Sequence, residues 1–224
     1  MNPKKISRIC WNKNDWLKQS GREGKSKNKD KDGNYVFEWE NGYGHEEWLF
    51  DLTKIINCYH YGFLETINKY RSKYAGEVFD ISLYTMNSIT REKFWIGEIK
   101  NTEVLSNEEG TEIFGKYKKH GWFNEMIADV RLVKGKGATL KNISPRNFFN
   151  IRFRTSNLKL LREPQLIAKG DKAIKAYYYT LLDKKIEPKL VQKAEEVFKF
   201  KSGLNPKKER TFRSHRRFSK SIEL

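Results

Sequence analysis

The residues best able to do chemistry in this sequence are charged groups on two predicted neighbouring strands. Glu98 and Lys100 belong to an E-I-K triplet, and Asp80 lies on the strand before it. The set resembles the D...ExK site of nucleases, in which carboxylates bind a divalent ion that activates water. Such triplets arise often by chance in a chain in which 33% of the residues are charged. A metal-dependent nuclease is therefore the alternative prediction, and not the leading one.

Other catalytic patterns are absent from the sequence. It contains no GxGxxG, GxxxxGK[ST], GxSxG or HExxH motif. The nearest match, His45-Glu46-Glu47-Trp48, lacks the second histidine that a zinc site needs, and the four histidines stand in unrelated contexts. We assign no role to His45 or its neighbouring acids, and we expect no catalysis, no metal and no cofactor in this chain.

An aromatic-rich segment, residues 35–51 (YVFEWENGYGHEEWLFD), is the stretch best suited to binding. Its second half predicts the start of a helix, because acids follow Gly44 and apolar residues come next. Its first half is then a loop that carries Trp39, Asn41 and Tyr43. Aromatic rings on a loop favour a stacking pocket, in which each stacked base contributes about 1–3 kcal/mol.

The charge of the chain indicates an anionic partner. Its 224 residues carry a formal net charge of +17, an excess typical of proteins that bind nucleic acid or an anionic membrane. The sequence has no run of about 18 apolar residues and no apolar signal-peptide core, which favours a cytoplasmic protein and nucleic acid as the partner. Cys10 and Cys58 form no CxxC pair, so we expect buried thiols without a disulfide or a zinc site.

The spacing of apolar residues predicts alternating strands and short helices. Strands are predicted over residues 4–11, 54–64, 77–84, 94–105, 125–133 and 147–154. Short helices are predicted over residues 12–17 and 66–74, and a longer one begins after Ser106, where Glu109 completes a capping box. Gly97 indicates a bulge or a close approach of two strands.

The remaining segments are predicted to be less regular. Residues 20–34 have no apolar side chain and are predicted to form a mobile loop, either a basic flap over a phosphate backbone or a solvated insertion. Residues 176–182 fit a strand or a helix equally well. We predict one domain over residues 1–185, and a basic helical linker with a flexible arm over residues 186–224.

The order of these signals resembles the EVE domains of the PUA-like superfold over roughly residues 5–165. In that family a W-x-G-V-R-N-Y loop precedes a helix, and Trp39, Asn41, Gly42 and Tyr43 match it here. The family's later strands match residues 76–84, 96–99 and 128–133, the last followed by a T-L element at residues 139–143. The phrases NPKKISRICW and GYGHEEWLF also look like the N-terminal halves of bacterial HNH restriction endonucleases.

The resemblance implies an α+β, PUA-like fold, in which a strongly curved mixed sheet or partial barrel is flanked by short helices. It also implies a sensor of 5-methyl- or 5-hydroxymethylcytosine in double-stranded DNA, the recognition part of a modification-dependent restriction system used in phage defence. Related EVE, YTH and SRA domains hold a flipped nucleotide in an aromatic cage, which offsets the few kcal/mol that extrusion costs. An RNA-binding PUA-like module is a further alternative.

The resemblance also suggests site residues. Trp39, Tyr43 and Tyr84 are the expected cage, with Trp11 and Trp95 as second choices and Asn41 or Ser20 on the base edge. The residues expected to bind phosphate are basic side chains in three regions, namely Lys25, Lys27, Arg152, Arg154, Lys207, Lys208, Arg210, Arg213, Arg216 and Arg217. The partner is expected to be duplex DNA carrying a modified base, and not a membrane.

Overall fold

The computed structural model of the chain describes residues 2–174 and 179–191. They belong to a unit that spans Met1–Ala194, whereas a second unit, Glu195–Leu224, lies outside the described residues. The described strands are β1 Lys4–Ile9, β2 Ile55–Ile56, β3 Tyr59–Gly62, β4 Val78–Met86, β5 Lys93–Val104, β6 Ile151–Phe153, β7 Leu158–Leu166 and β8 Leu182–Asp183. The described α-helices are α1 Phe37–Asn41, α2 Glu65–Asn68, α3 Arg71–Tyr74, α4 Asn107–Lys119 and α5 Trp122–Leu132.

The strands form one open mixed sheet, which confirms the α+β class. The order of the strands is β2-β3-β6-β5-β4-β1-β8. β7 is not in this series and pairs with another part of β5 than β6 does. β6 and β7 therefore lie one after the other along the same edge of β5, both antiparallel to it. The 3-10 turn Thr155–Asn157 separates them. Among the described strands, only β1 and β4 pair in parallel, so the chain must cross over between them. This crossover, residues 10–77, carries most of the side chains discussed below.

The longest strands follow the predicted pattern. β4 and β5 match the strands predicted over residues 77–84 and 94–105 and pair as an antiparallel hairpin, and β1 starts at the predicted position. In β6, Ile151 and Phe153 are buried while Arg152 emerges on the other face, as the alternation indicates. No helix among the described residues is long and apolar enough to cross a membrane.

Gly97 lies at a close approach of β5 and β7, as predicted. Its φ is +149°, and a Cβ placed on it would lie 2.2 Å from the carbonyl oxygen of Lys159 and 2.9 Å from the Cα of Leu160. Because both are backbone atoms, no rotamer change can relieve the overlap. A side chain at this position must push the two strands apart.

Gly97→Ala is therefore expected to lower the free energy of unfolding by about 2–4 kcal/mol. Gly115→Ala is the matched control, because Gly115 lies in α4 and a Cβ there meets no atom within 4 Å. It should raise stability by about 0.5–1 kcal/mol, since alanine favours the helix. Urea unfolding followed by circular dichroism compares the two, and equal midpoints would contradict the close approach.

The start of α4 was predicted correctly, whereas α5 was predicted as a strand. α4 begins where expected, because Ser106 Oγ accepts from the Glu109 N–H and the Glu109 carboxylate accepts from the Ser106 N–H. The predicted strand over residues 125–133 is wrong, since this segment lies largely within α5. Its buried residues recur at helical spacing, with i, i+3, i+4 and i+7 occupied by Phe123, Met126, Ile127 and Val130.

Four further expectations are corrected by the structure. Residues 12–17 form turns rather than a helix, with positive φ at Asp15 and Trp16. The supposed loop before Gly44 contains α1, and only a 3-10 helix, His45–Trp48, follows it. The T-L element lies in a 3-10 helix, Gly137–Asn142. Residues 186–191, the described start of the predicted helical linker, contain no helix.

Two separate clusters hold many of the buried aromatic residues. One joins Tyr43 and Trp48 to the apolar faces of α4 and α5 and to Phe148. The other joins Tyr84 and Trp95 on the sheet to Ile6, Ile167 and Ile174. This division decides which rings are free to meet a ligand.

Candidate functional site

A cleft of about 810 Å³ opens beside the end of β1 and is the best candidate site. α1 supplies Phe37 and Glu38, and the 3-10 helix supplies His45 and Glu46. Its other walls come from distant parts of the chain, namely Arg8, Ser26, Asn28, Val36, Gly44, Phe63, Glu65, Met86, Ser88, Arg91 and Tyr179. The cleft thus combines aromatic rings, carboxyl groups and arginines.

Glu46 anchors one wall of the cleft. Its carboxyl oxygens accept hydrogen bonds from the backbone N–H of Cys10 at 2.6 Å and of Glu65 at 2.9 Å. These bonds tie the end of β1 to the start of α2. Burial raises the pKa of Glu46 to about 8, and burial together with the charge of Glu38 also raises the pKa of Glu65.

Glu38 is the carboxylate that faces other side chains of the cleft. The hydroxyl of Tyr179 donates to its Oε1 at 2.7 Å, and the guanidinium carbon of Arg8 lies 4.6 Å from the Tyr179 ring centroid. Burial raises the pKa of Tyr179 well above its usual value. Arg8, Tyr179 and Glu38 thus form a stacked and hydrogen-bonded series along one wall.

Aromatic rings form the opposite side. Phe37 packs edge-on against Tyr43 and His45, with ring centroids 5.3 and 5.4 Å apart, and His45 packs edge-on against Phe63 at 5.1 Å. Burial lowers the pKa of His45 to about 4, so that the imidazole is neutral at physiological pH. The face of Phe37 that is not packed in this way is open to a ligand, since the side chain is 44% exposed.

A second acid, Glu47, holds the segment below the cleft in place. Its Oε1 accepts from Asn12 Nδ2, Ser20 Oγ and the Ser20 N–H, and its Oε2 accepts from Lys25 Nζ at 2.9 Å and the Gly44 N–H. Because every contact is a donor, the site is built for the ionised carboxylate. Glu47 and Lys25 are both fully buried, and together they fix the base of the segment that supplies Ser26 and Asn28 to the cleft.

The structure does not bring the predicted cage rings Tyr43 and Tyr84 together. Tyr43 is fully buried in the helical cluster, and its hydroxyl contacts Thr139 Oγ1 at 3.0 Å. Tyr84 is buried in the sheet cluster, so the two rings belong to different parts of the core. Tyr43 contributes indirectly, because it supports the ring of Phe37.

The other predicted base-binding residues lie outside the described walls of the cleft. Trp39 is half-buried and lies under Lys27, whose Nζ is 4.7 Å from the ring centroid, and Asn41 Nδ2 donates to the Phe37 carbonyl. Trp11 packs on Phe94, and Trp95 belongs to the sheet cluster. Ser20 is buried on Glu47 and is unavailable to a base.

The predicted phosphate-binding residues lie in different environments, some exposed and others buried or paired with an acid. Lys25 is not available to a phosphate group, because its ammonium is buried against Glu47. Lys27 and Arg154 are exposed. In contrast, Nε and Nη2 of Arg152 both donate to the carboxylate of Glu103. The guanidinium groups of Arg152 and Arg154 both lie about 5 Å from the ring of Tyr59. The residues proposed between 207 and 217 lie outside the described part of the chain.

The alternative nuclease trio has a different set of contacts. Asp80 Oδ1 accepts from Asn2 Nδ2 and from the Asn101 N–H, and Glu98 forms an ion pair with Lys100 at 3.6 Å. Within residues 2–174 and 179–191, no group of three or more acids, histidines and cysteines is arranged to hold a metal ion.

The sequence did not indicate Phe37, Glu38, Phe63 or Tyr179, and no role was predicted for His45 or Glu46. One signal was present, since two adjacent acids inside an apolar stretch predict buried hydrogen-bonded carboxyls. Comparison with family models, with curated proteins and with solved structures finds no match for this chain. The geometry of the cleft is therefore the basis for any functional inference.

The buried histidines make the fold sensitive to acid. Burial lowers the pKa of His45 and of His60 to about 4, so the unfolded chain takes up protons before the folded one as the pH falls below the usual value of 6.5. Each contributes a loss of about 1.4 kcal/mol per pH unit in that window. Glu46 acts in the opposite direction, because its raised pKa favours the folded state most below pH 4.5 and loses this effect as the pH rises through about 8.

His60→Phe is expected to remove the share of this acid-induced loss that His60 contributes, about 2 kcal/mol between about pH 7 and about pH 5, because this position no longer titrates. The replacement suits the site, since His60 is buried with its ring edge-on to Phe153 at 5.2 Å. Thermal unfolding at about pH 7 and about pH 5 measures the effect. His120→Phe is the control, because His120 is exposed, and an unchanged slope in His60→Phe would contradict the role of burial.

Proposed function

We propose that this chain is a DNA-binding sensor of modified cytosine, 5-methyl or 5-hydroxymethyl, which holds an extruded base in the cleft between Phe37, Glu38 and Phe63. It acts as the recognition part of a modification-dependent restriction system. The observation that carries this proposal is the composition of the cleft, which places aromatic rings and buried hydrogen-bonding groups together in a strongly basic chain.

The chemistry of the cleft favours a base over a phosphate group. The carboxylate of Glu38 lines it beside Glu46, which its raised pKa keeps largely protonated at neutral pH, and a carboxylate repels a phosphate but accepts hydrogen bonds from an exocyclic amine. Cytosine offers such an amine at N4, and Glu38 is the acceptor best placed to take it. Phe37 and Phe63 supply apolar contact to the ring and to a methyl substituent.

The free energy needed to extrude a base is within reach of these contacts. Unpairing and unstacking one nucleotide costs a few kcal/mol, and a stacked aromatic contact returns about 1–3 kcal/mol. The net charge of +17 adds attraction to the DNA backbone that does not depend on sequence. In this proposal the cleft provides the preference for a modified base, and the net positive charge of the chain provides the affinity for the DNA backbone.

The fold belongs, in this proposal, to the PUA-like superfold and resembles that of EVE domains. The positions of β1, β4 and β5 and the turn at Gly42 support this assignment. The last two matched elements do not, because residues 128–133 are helical in their larger part and residues 139–143 lie largely in a 3-10 helix. The proposal therefore depends on the cleft more than on the fold.

The function is tested by binding to three duplexes of one sequence that carry cytosine, 5-methylcytosine or 5-hydroxymethylcytosine at a single position. At about 150 mM salt the chain should bind one modified duplex at least about tenfold more tightly than the plain one, equivalent to about 1.4 kcal/mol. A methylated RNA competitor separates this function from the RNA-binding alternative. Equal affinity for the three duplexes would sink the proposal.

A further inference from the structure

We infer that Tyr35 is a wedge that enters the base stack of duplex DNA and fills the space left by the base that moves into the cleft. This inference rests on the proposed function and adds to it the way in which the duplex is opened. Three observations carry it, namely the exposure of an apolar run, its rigid support and the cations beside it.

The apolar run consists of Tyr35, Val36 and Phe37, which are 41%, 37% and 44% exposed. Val36 and Phe37 line the cleft, so Tyr35 directly precedes its wall in the chain. Consecutive exposed apolar residues beside a cleft are typical of an interaction surface. Proteins that open the DNA base stack insert apolar side chains of this kind between base steps.

The support is a small hairpin over residues 28–36. The Val36 N–H donates to the Asn28 carbonyl at 3.1 Å, and Lys29 and Tyr35 form an antiparallel bridge. At its turn, Asp30 Oδ1 accepts from two backbone N–H groups at 2.9 Å each. The predicted mobile loop is thus held by hydrogen bonds here and by the buried Lys25 below, so that little ordering remains to be done on binding.

The cations beside the run favour a nucleic acid over an apolar protein surface. Lys29 Nζ lies 4.9 Å from the centroid of Tyr35, and Lys27 Nζ lies 4.7 Å from that of Trp39. A ring that enters the base stack lies between two phosphate backbones, and an adjacent ammonium group can then bind a phosphate oxygen. Of the exposed acids of this hairpin, Asp32 lies at its turn, and both carboxylate oxygens of Asp30 accept hydrogen bonds from within the hairpin.

The test compares binding of one modified strand, alone and in a duplex, to the whole chain and to its Tyr35→Ala variant. A wedge is needed only where a stack must be opened. Tyr35→Ala should therefore weaken duplex binding by about tenfold, which corresponds to the lower part of the range for one aromatic stacking contact. Binding of the single strand should change by less than about twofold, and Tyr35→Phe should behave as the unaltered chain.

Tyr70→Ala is the matched control, because Tyr70 is 43% exposed beside Lys69 and lies outside the cleft. It should leave both affinities unchanged. Equal loss on the single strand and the duplex, no loss on either, or a change of oligomeric state without a change in DNA binding would overturn the wedge. If the unaltered chain binds plain and modified duplexes equally, the proposed function fails, and the comparison of duplex with single strand still decides the wedge.

Discussion

Glu47→Ala is expected to lower the free energy of unfolding by about 3–5 kcal/mol, a large part of the stability of a domain of this size. The substitution leaves the buried ammonium of Lys25 without its counter-ion, and it removes the acceptor of four further hydrogen bonds. A buried charge that loses its partner retains its desolvation cost with nothing to offset it. Urea unfolding followed by tryptophan fluorescence measures the loss.

The control for this prediction is Glu40→Ala. Glu40 also forms an ion pair with a lysine, Lys136, but both side chains are exposed to solvent, and exposed pairs contribute little. The unfolding midpoint of Glu40→Ala should stay close to that of the unaltered chain. Lys25→Met combined with Glu47→Leu should recover part of the loss, because it removes both charges together. A Glu47→Ala variant no less stable than Glu40→Ala would contradict the structural role of the pair.

The role of Glu47 also shows where sequence reasoning reaches its limit. β4, β5 and the start of α4 were predictable, because alternation, β-branched residues and a capping box act over a few neighbouring positions. α5 was missed because D-V-R-L-V is rich in β-branched residues, while its buried face becomes visible only over two full turns. The partners of Glu47 lie up to 35 residues away in the chain, and no local pattern indicates them.

The choice of aromatic residues shows the same limit in the site. Tyr43 and Phe37 are close in the chain, and both look suited to a pocket. The structure buries Tyr43 against the helices and leaves Phe37 at the cleft. Which ring faces outward is decided by α4, α5 and Phe148, elements from the middle of the chain, so the composition of residues 35–51 alone could not select it.

Phe37→Ala should abolish most of the preference for modified DNA. Its ring is the open aromatic surface of the cleft and rests on Tyr43 and His45. Loss of one stacking contact of about 1–3 kcal/mol corresponds to a decrease in affinity of roughly 5- to 150-fold for the modified duplex. Binding to plain duplex should remain, because the positive charge that attracts the backbone is unaltered. Titration of both duplexes at the same salt concentration measures the two effects.

Trp39→Ala is the decisive comparison, because the sequence alone favoured Trp39 as the base-binding ring. Trp39 lies under Lys27 and outside the described walls of the cleft, so its loss should weaken all duplexes alike through a displaced cation. Glu38→Gln tests the charge of the polar wall separately, since the amide keeps one acceptor oxygen for the amine of cytosine but loses the negative charge. If Trp39→Ala removes the preference while Phe37→Ala retains it, the base lies on the other side of α1, and the cleft has a different ligand.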